Sequence, residues 1–199
     1  MATTVGSEFK SSGITENTPK NILLGAGTIH SGLQYTSNAW NFEESLIGAT
    51  SGGSKLSIVP EFYDVPVDGA TVKVKGLTAK VGETATLEIN SVELNENLLK
   101  LALVASSAAA TESGYTELTS KRLIETGDYI SNLAFVGKKM NGEPIIVILK
   151  NALCTSGLEL ESKNKEAAIP KLVFECYADL SSEADTLPWR ILYPTQTTD

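Results

Sequence analysis

Few side chains in this sequence are capable of nucleophilic or metal chemistry. The chain of 199 residues holds one histidine, His30, and two cysteines, Cys154 and Cys176. A Ser-His-Asp or Cys-His catalytic arrangement would have to use His30. A zinc site would need His30 with both cysteines and a carboxylate, and no short ligand spacing joins these residues. The sequence therefore predicts a protein that is not an enzyme and that uses no catalytic residue, no metal ligand and no cofactor.

Two other patterns resemble functional sites but lack the spacing that those sites require. Residues 48–55, GATSGGSK, resemble a phosphate-binding loop. That loop needs Gly-Lys-Ser/Thr leading into a helix, whereas Lys55 leads into a predicted strand. Glu43 and Glu44 are adjacent, whereas the paired carboxylates of a glycosidase lie about 5 to 10 Å apart across the substrate. We interpret the first pattern as a connection between strands, or one that reaches a neighbouring subunit, and the second as solvated acids.

Charge and composition indicate one acidic globular domain. Sixteen Lys and Arg oppose 24 Asp and Glu, for a net charge of −8, so we expect weak nucleic-acid binding, because affinity for phosphate comes mainly from basic side chains. No apolar run approaches the ~20 residues of a membrane-spanning helix. The first residues lack the basic and apolar segments of a secretory signal. We therefore expect a cytoplasmic protein with Cys154 and Cys176 as free buried thiols, a disulfide between them being the alternative.

Strand patterns dominate the chain after a polar arm. Residues 1–19 are rich in Ser, Thr and Gly, and we expect a flexible arm, with ordering against a neighbouring subunit as the alternative. Residues 20–199 read as a single β-domain with a long loop at about 34–55. Alternating or apolar runs predict strands at 21–27, 55–63, 72–75, 84–94, 129–136, 145–149, 154–161, 171–179 and 189–193. Pro60 indicates an edge strand, and a phase slip after Ile89 predicts a β-bulge near Asn90.

One segment has helical periodicity. Residues 96–105 place leucines around much of a helix, with Asn95 as the predicted N-cap. The small residues at 106–114 are expected to form a loop or a frayed helix end. Asn141-Gly142 predicts a hairpin turn before a central, fully covered strand at 145–149. The fold class that follows is mainly β, with two packed antiparallel sheets, as a sandwich or barrel, and one flanking helix.

The order of several stretches resembles the major tail-tube proteins of tailed bacteriophages of Gram-positive hosts. These stretches are NILLGAGTI at 21–29, GATSGG at 48–53, VPVDGATVKVKGL at 65–77, VGETATLEIN at 81–90, KLVFECYAD at 171–179 and PWRI at 188–191. Residues 105–126 have no counterpart in the resemblance. The resemblance implies two packed antiparallel sheets flanked by a helix, a fold shared with the tube proteins of type VI secretion.

The resemblance also implies an assembly. Six copies would form a ring, and rings would stack into a hollow virion tail tube, non-contractile in type, that conducts DNA during ejection without binding it specifically. The implied partners are further copies of the chain, a tape-measure protein, a tail terminator and a distal tail protein. Assembly would take place in the host cytoplasm, with no membrane involved.

Two sets of residues are candidates for roles in such a tube. Ring-to-ring contacts would involve the 1–19 arm and the 34–55 connection, because a polar Gly/Ser-rich segment carries isolated large aromatics there. The candidates are Trp40, Phe42, Gly48, Gly52 and Gly53. Residues 159–185 hold seven acids and three bases, a net charge of −4, and we expect a net negative lumen that repels phosphates. The lumen-facing candidates are Glu88, Glu159, Glu161 and Glu175.

Other readings of the sequence predict different behaviour in solution. A type VI-like ring protein would share the fold but would stack weakly and be secreted. A β-sandwich carbohydrate-binding module would stay monomeric and would need an exposed aromatic platform, for which Trp40 and Trp189 are the candidates. An enzyme is the least favoured alternative.

Overall fold

A computed structural model describes residues 12–180 and 186–195 of the chain. Two four-stranded antiparallel sheets account for most of this part. Sheet I contains, in spatial order, β1 (Leu23–Ser31), β8 (Leu133–Lys139), β9 (Pro144–Leu149) and β12 (Trp189–Leu192). Sheet II contains, in spatial order, β10 (Ala152–Cys154), β11 (Lys171–Cys176), β5 (Thr78–Ser91) and β4 (Thr50–Asp64).

Shorter elements lie between the strands of the two sheets. They are the hairpins β2 (Tyr35–Thr36) with β3 (Ala39–Trp40) and β6 (Ala105–Ala109) with β7 (Thr116–Ser120), the single-turn helices α1 (Thr18–Asn21) and α2 (Phe42–Ser45), the helix α3 (Glu96–Leu103) and a 3₁₀ turn at Thr126–Asp128. The predicted fold class is therefore confirmed: the chain is mainly β, with packed antiparallel sheets and a flanking helix.

The main core lies between the two sheets and beneath α3. Alternate residues of β5 and β11 point inward, as the period of two in their sequences predicts. The buried members of this core are Ile29, Ala85, Leu87, Ile89, Leu98, Ala102, Ile130, Leu133, Leu149, Ala152, Cys154, Leu172, Phe174 and Cys176. Both sheets and helix α3 contribute side chains to this one core.

The outer face of sheet I has a cover of its own. The segment 33–45, which contains β2, β3 and α2, lies across it and forms a second apolar cluster. Leu33, Ala134, Ile146 and Ile148 are buried there, and Trp40 and Phe42 pack against them. Both faces of β9 are therefore covered, and this confirms the prediction of a central, fully covered strand at 145–149.

Helix α3 begins and ends at identifiable residues. The side chain of Asn95 accepts a hydrogen bond from the backbone N–H of Leu98 at 2.9 Å, as predicted for an N-cap. The helix ends at Leu103 because Val104 has a left-handed backbone, with φ of 49°. A β-branched side chain is strained in that conformation. Ala105 then begins β6 instead of continuing the helix to residue 105.

The segment before β1 and the segment after β12 meet over a buried lysine. The Lys139 side chain is 0% exposed and forms an ion pair with Glu143 at 2.7 Å, without hydrogen-bond geometry. Its ammonium also lies 4.8 Å from the centre of the Tyr193 ring. The Tyr193 hydroxyl is 3.2 Å from Oδ1 of Asn21. The segments before β1 and after β12 are therefore fastened at the same place.

Several local predictions from the sequence are wrong. Residues 72–75, predicted as a strand, lie in a loop. The strand predicted at 154–161 ends at Cys154, and the residues that follow have no strand structure. Residues 105–109 form a strand where a helix end and a loop were expected. The predicted bulge near Asn90 lies instead in β4, where the β4–β5 register shifts between Thr50 and Ser54. The left-handed glycines between them absorb the two extra residues.

The structure describes only part of the predicted arm, and it contains regular elements within the predicted long loop. Of the arm predicted at 1–19, residues 1–11 lie outside the described residues, and 12–17 are mostly exposed and precede α1. The loop predicted at about 34–55 contains β2, β3 and α2, and its last residues, 50–55, belong to β4.

Candidate self-association surface

The lone histidine is a structural hydrogen-bonding residue. His30 is 2% exposed, and its Nδ1 lies 3.0 Å from Oγ of Ser45. The Ser45 hydroxyl donates to the backbone carbonyl of Asn41 at 2.7 Å, so it must accept from Nδ1–H. In the neutral ring, Nε2 then accepts from the Thr28 hydroxyl at 2.9 Å. The hydrogen bond between His30 and Ser45 joins β1 to α2. Burial lowers its pKa below the ordinary value.

Both cysteines are free and buried, as predicted. Cys154 and Cys176 lie on neighbouring strands but are offset in register, because Cys154 faces Phe174 and Cys176 faces Ala152. The Cys176 thiol donates to the backbone carbonyl of Lys150 at 3.0 Å. Burial raises the pKa of Cys176 to about 11. Within residues 12–180 and 186–195, no group of three or more His, Cys, Asp or Glu could hold a metal ion.

The predicted ring-contact residues are used first within their own chain. Trp40 and Phe42 stack with ring centroids 6.2 Å apart and pack on the outer face of sheet I. Gly52 and Gly53 form the bulge in β4, with φ of 79° and 81°. Gly48 has φ of 147° and lies beside Glu93, which would contact a Cβ there. These positions have local structural roles, and their part in ring contacts stays a prediction.

The predicted lumen-facing acids fall into two groups. Glu88 and Glu175 lie on the open face of sheet II, where Glu88 pairs with Lys171 at 2.9 Å. Lys55 is opposite Glu88 in the β4–β5 register, so Glu88 has a lysine on each neighbouring strand. Glu159 and Glu161 lie on the exposed segment 155–170, outside any strand. Their place in a lumen stays a prediction.

A hairpin that the sequence did not identify carries a group of exposed apolar side chains. Strand β5 pairs with β11 only from Thr86 onward, and its earlier residues pair with β4 alone. The two strands and their connection therefore form a two-stranded ribbon, residues 59–82, with both faces exposed. We call residues 59–82 the projecting hairpin. Its exposed apolar side chains are Val59, Phe62, Tyr63, Val65, Val67, Val72, Val74 and Val81. Exposed apolar side chains grouped in one part of a surface often mark a site that a partner covers.

The tip of the projecting hairpin is folded by its own contacts. The Asp64 carboxylate accepts from the hydroxyl of Thr78 at 2.6 Å and pairs with Lys73 at 2.6 Å. These contacts lower the pKa of Asp64, with the Lys73 hydrogen bond as the larger cause. The backbone N–H of Val65 donates to the carbonyl of Leu77 at 2.8 Å, which closes the loop. The tip therefore presents its valines on a defined loop.

A buried carboxylate fixes the base of the projecting hairpin to the body. The Glu83 side chain is 7% exposed and pairs with Lys80 at 2.9 Å. Its other oxygen accepts from the indole N–H of Trp189, on the edge strand of sheet I, at 2.9 Å. The Lys80 hydrogen bond, followed by that from Trp189, lowers the pKa of Glu83. This network is a side-chain bridge from the hairpin in sheet II to sheet I.

Comparison with known proteins adds no relative. No protein-family model matches the chain, and no curated protein matches it significantly. In the part of the chain that the structure describes, no helix is long and apolar enough to cross a membrane.

Two sequence signals mark the projecting hairpin in retrospect. Asp68-Gly69 and Lys75-Gly76 are turn dipeptides, and both glycines have left-handed backbones, with φ of 85° and 94°. They bracket the valines at 72 and 74, so the alternation there belongs to a tip loop between two turns. Periodicity alone reads such a stretch as a strand.

Proposed function

We propose that this protein is a structural protein of a bacteriophage tail. Six copies form a ring, and rings stack into the hollow tube through which DNA passes during ejection. The observation that carries the proposal is the projecting hairpin, whose apolar side chains are exposed on both faces of a two-stranded ribbon. A second copy of the chain is the partner that can bury this surface in every subunit of a repeating assembly.

The direction of the contact follows from the shape of the surface. A hairpin that docks on a different part of the next copy makes a heterologous contact, and such contacts generate rings or filaments. Strand β4 is also an edge strand of sheet II along its whole length. Unpaired strand edges favour association with another chain. Both features favour association with another chain, and a hairpin that docks on a different part of its partner makes that association head-to-tail.

We place the open face of sheet II toward the lumen. The outer face of sheet I is covered by segment 33–45, whereas sheet II presents Thr84, Thr86 and Asn90 together with its paired charges. Short polar side chains without a basic patch suit the passage of DNA, because there is little to bind phosphates. Segment 155–170, which lines a pocket together with Lys171 and Val173 of this face, adds three glutamates and two lysines. Tape-measure, terminator and distal tail proteins are the further partners of this proposal.

Negative-stain electron microscopy of the purified protein over a concentration series tests the proposal. We expect rings and hollow tubes whose abundance rises with concentration. Sedimentation velocity of the same samples measures the fraction that is monomeric. A protein that stays monomeric at every concentration, also when a virion-derived tail tip is added as initiator, would contradict the proposal. Carbohydrate binding by that monomer would then favour the sandwich-module alternative.

A further inference from the structure

The junction between the projecting hairpin and the body combines several features that weaken or bend a sheet. The β4–β5 register shifts between Glu61 and Phe62, which leaves Val81 as an extra residue in β5. A bulge of this kind bends and twists a ribbon locally. Pro60 removes a backbone donor beside it. A Cβ on Gly82 would approach Glu61 to 2.9 Å. The sheet pairing alone therefore leaves the hairpin direction weakly fixed at this point.

The side chain of Glu83 crosses this junction. It is held by Lys80 from the hairpin and by Trp189 from sheet I, each at 2.9 Å. Trp189 is itself anchored, because its ring packs against the main core and its strand pairs with β9. A hydrogen bond from this anchored ring restrains the movement of Glu83, and a carboxylate acceptor makes that bond stronger than a neutral pair.

We propose that the Glu83–Trp189 hydrogen bond sets the direction in which the projecting hairpin leaves the body, and thereby the geometry with which a second copy is engaged. Glu83 and Trp189 are positioning residues: they act through the hairpin and need not touch the partner. The inference rests on the proposed self-association for its consequence in assembly. The orientation of the hairpin in the monomer is independent of that proposal.

The test measures hairpin orientation in the monomer. Spin labels on Val72→Cys at the tip and Leu123→Cys on the body report the distance between them by pulsed electron resonance. Both sites are exposed, at 76% and 72%, and mock labelling of the parent checks that the buried native thiols stay unreacted. We expect a narrow distance distribution in the parent and a broad one in Trp189→Phe, which keeps a smaller aromatic ring but loses the N–H donor.

Variants at Glu83 separate the hydrogen bond from packing. Glu83→Gln keeps an oxygen that accepts from the indole, so the distribution should stay narrow. Glu83→Ala removes the acceptor, so the distribution should broaden as in Trp189→Phe. Equal widths in the parent, Trp189→Phe and Glu83→Ala would overturn the inference. A broad distribution in Glu83→Gln alone would overturn it too, because the Lys80 ion pair would then be the determinant.

Assembly provides the second readout. We expect Trp189→Phe to raise the critical concentration for tube formation about tenfold, the size of effect that accompanies loss of one hydrogen bond, while Glu83→Gln stays near the parent. If the parent does not assemble but Trp189→Phe broadens the distances, the orienting role is supported and the proposed function fails. If the parent assembles and Trp189→Phe changes neither readout, the proposed function stands and this inference fails.

Discussion

Removing apolar side chains from the projecting hairpin should weaken assembly by a calculable amount. Phe62 and Val72 are 63% and 76% exposed, so their truncation leaves the monomer almost unchanged. Full burial of such a side chain is worth about 1.5–3 kcal/mol. Burying the exposed part of both in a neighbouring copy contributes about 2–4 kcal/mol, which corresponds to roughly a 30- to 900-fold change in association constant.

The assay is the critical concentration for assembly of the Phe62→Ser/Val72→Ser double variant. Pelleting and light scattering measure it in the parent and in the variant under the same buffer conditions. A thermal melt checks that the two monomers are equally stable. We expect the critical concentration to rise by the factor above and the melting temperature to stay the same.

A matched variant decides whether the location of the apolar surface matters. Tyr115→Ser/Leu123→Ser removes one aromatic and one aliphatic side chain that are 73% and 72% exposed outside the projecting hairpin. It should leave the critical concentration near that of the parent. Equal shifts in both double variants would show nonspecific adhesion, and no shift in the hairpin variant would refute a role for the hairpin in assembly.

Four further predictions concern the monomer. The free energy of unfolding of Lys139→Met, measured in urea, should stay within about 1.5 kcal/mol of the parent. Glu143→Gln should be more destabilising, because it leaves a buried ammonium without a charged partner. The reverse order of the two variants would contradict this account. Val104→Gly should raise the free energy of unfolding by about 1 kcal/mol by relieving the left-handed strain, and a lower melting temperature would argue against that strain. The pKa of His30 is lowered, so its stabilising contribution is present above about pH 6.5 and declines as pH falls toward the folded-state pKa. The histidine signal in NMR should therefore titrate below pH 6.5. His30→Gln should flatten the dependence of stability on pH in that range. Cys176, with a pKa of about 11, should react with a disulfide reagent at pH 8 far more slowly in the native protein than in denaturant, and equal rates would show that the thiol is accessible.

The sequence predicts the paired interior strands of this fold well. The alternation in 171–176 and the apolar run at 145–149 have one interpretation each, because a period of two places one side of a strand in the core. The N-cap at Asn95 was equally clear, since its side chain competes for the first helical N–H groups. Local chemistry and tertiary burial agree at these positions.

Prediction fails where tertiary contacts override local patterns. The small residues of 105–109 favour no element, and they form β6 because β7 pairs with them. Residues 155–161 alternate in sequence, but Ser156 occupies the neighbouring backbone donor at Val173 with its side chain, and the strand does not continue. Two glycines in β4 take the bulge predicted for β5, because a left-handed backbone favours glycine.

The candidate surface was harder to predict than the fold. Periodicity identifies which residues share a face, but it does not show that a ribbon extends past the end of its sheet. Phe62 continues the inward face of Leu56 and Ile58, so its pattern is that of a core residue. Only the structure shows that Phe62, unlike Leu56 and Ile58, lies beyond the main core and is 63% exposed. The bridge from Glu83 to Trp189 joins residues 106 positions apart and has no local signal.

The meeting of Asn21 and Tyr193 over Lys139 has a practical consequence for protein engineering. Segments that leave a domain side by side can be joined by a short linker, and the chain can be opened at an exposed turn elsewhere. Gly114, in the turn between β6 and β7, has open space around it and lies outside the projecting hairpin. A circular permutant opened there would carry its new termini at a single exposed site. Cargo fused at that site would be displayed once per subunit, at the spacing of whatever array the subunits form.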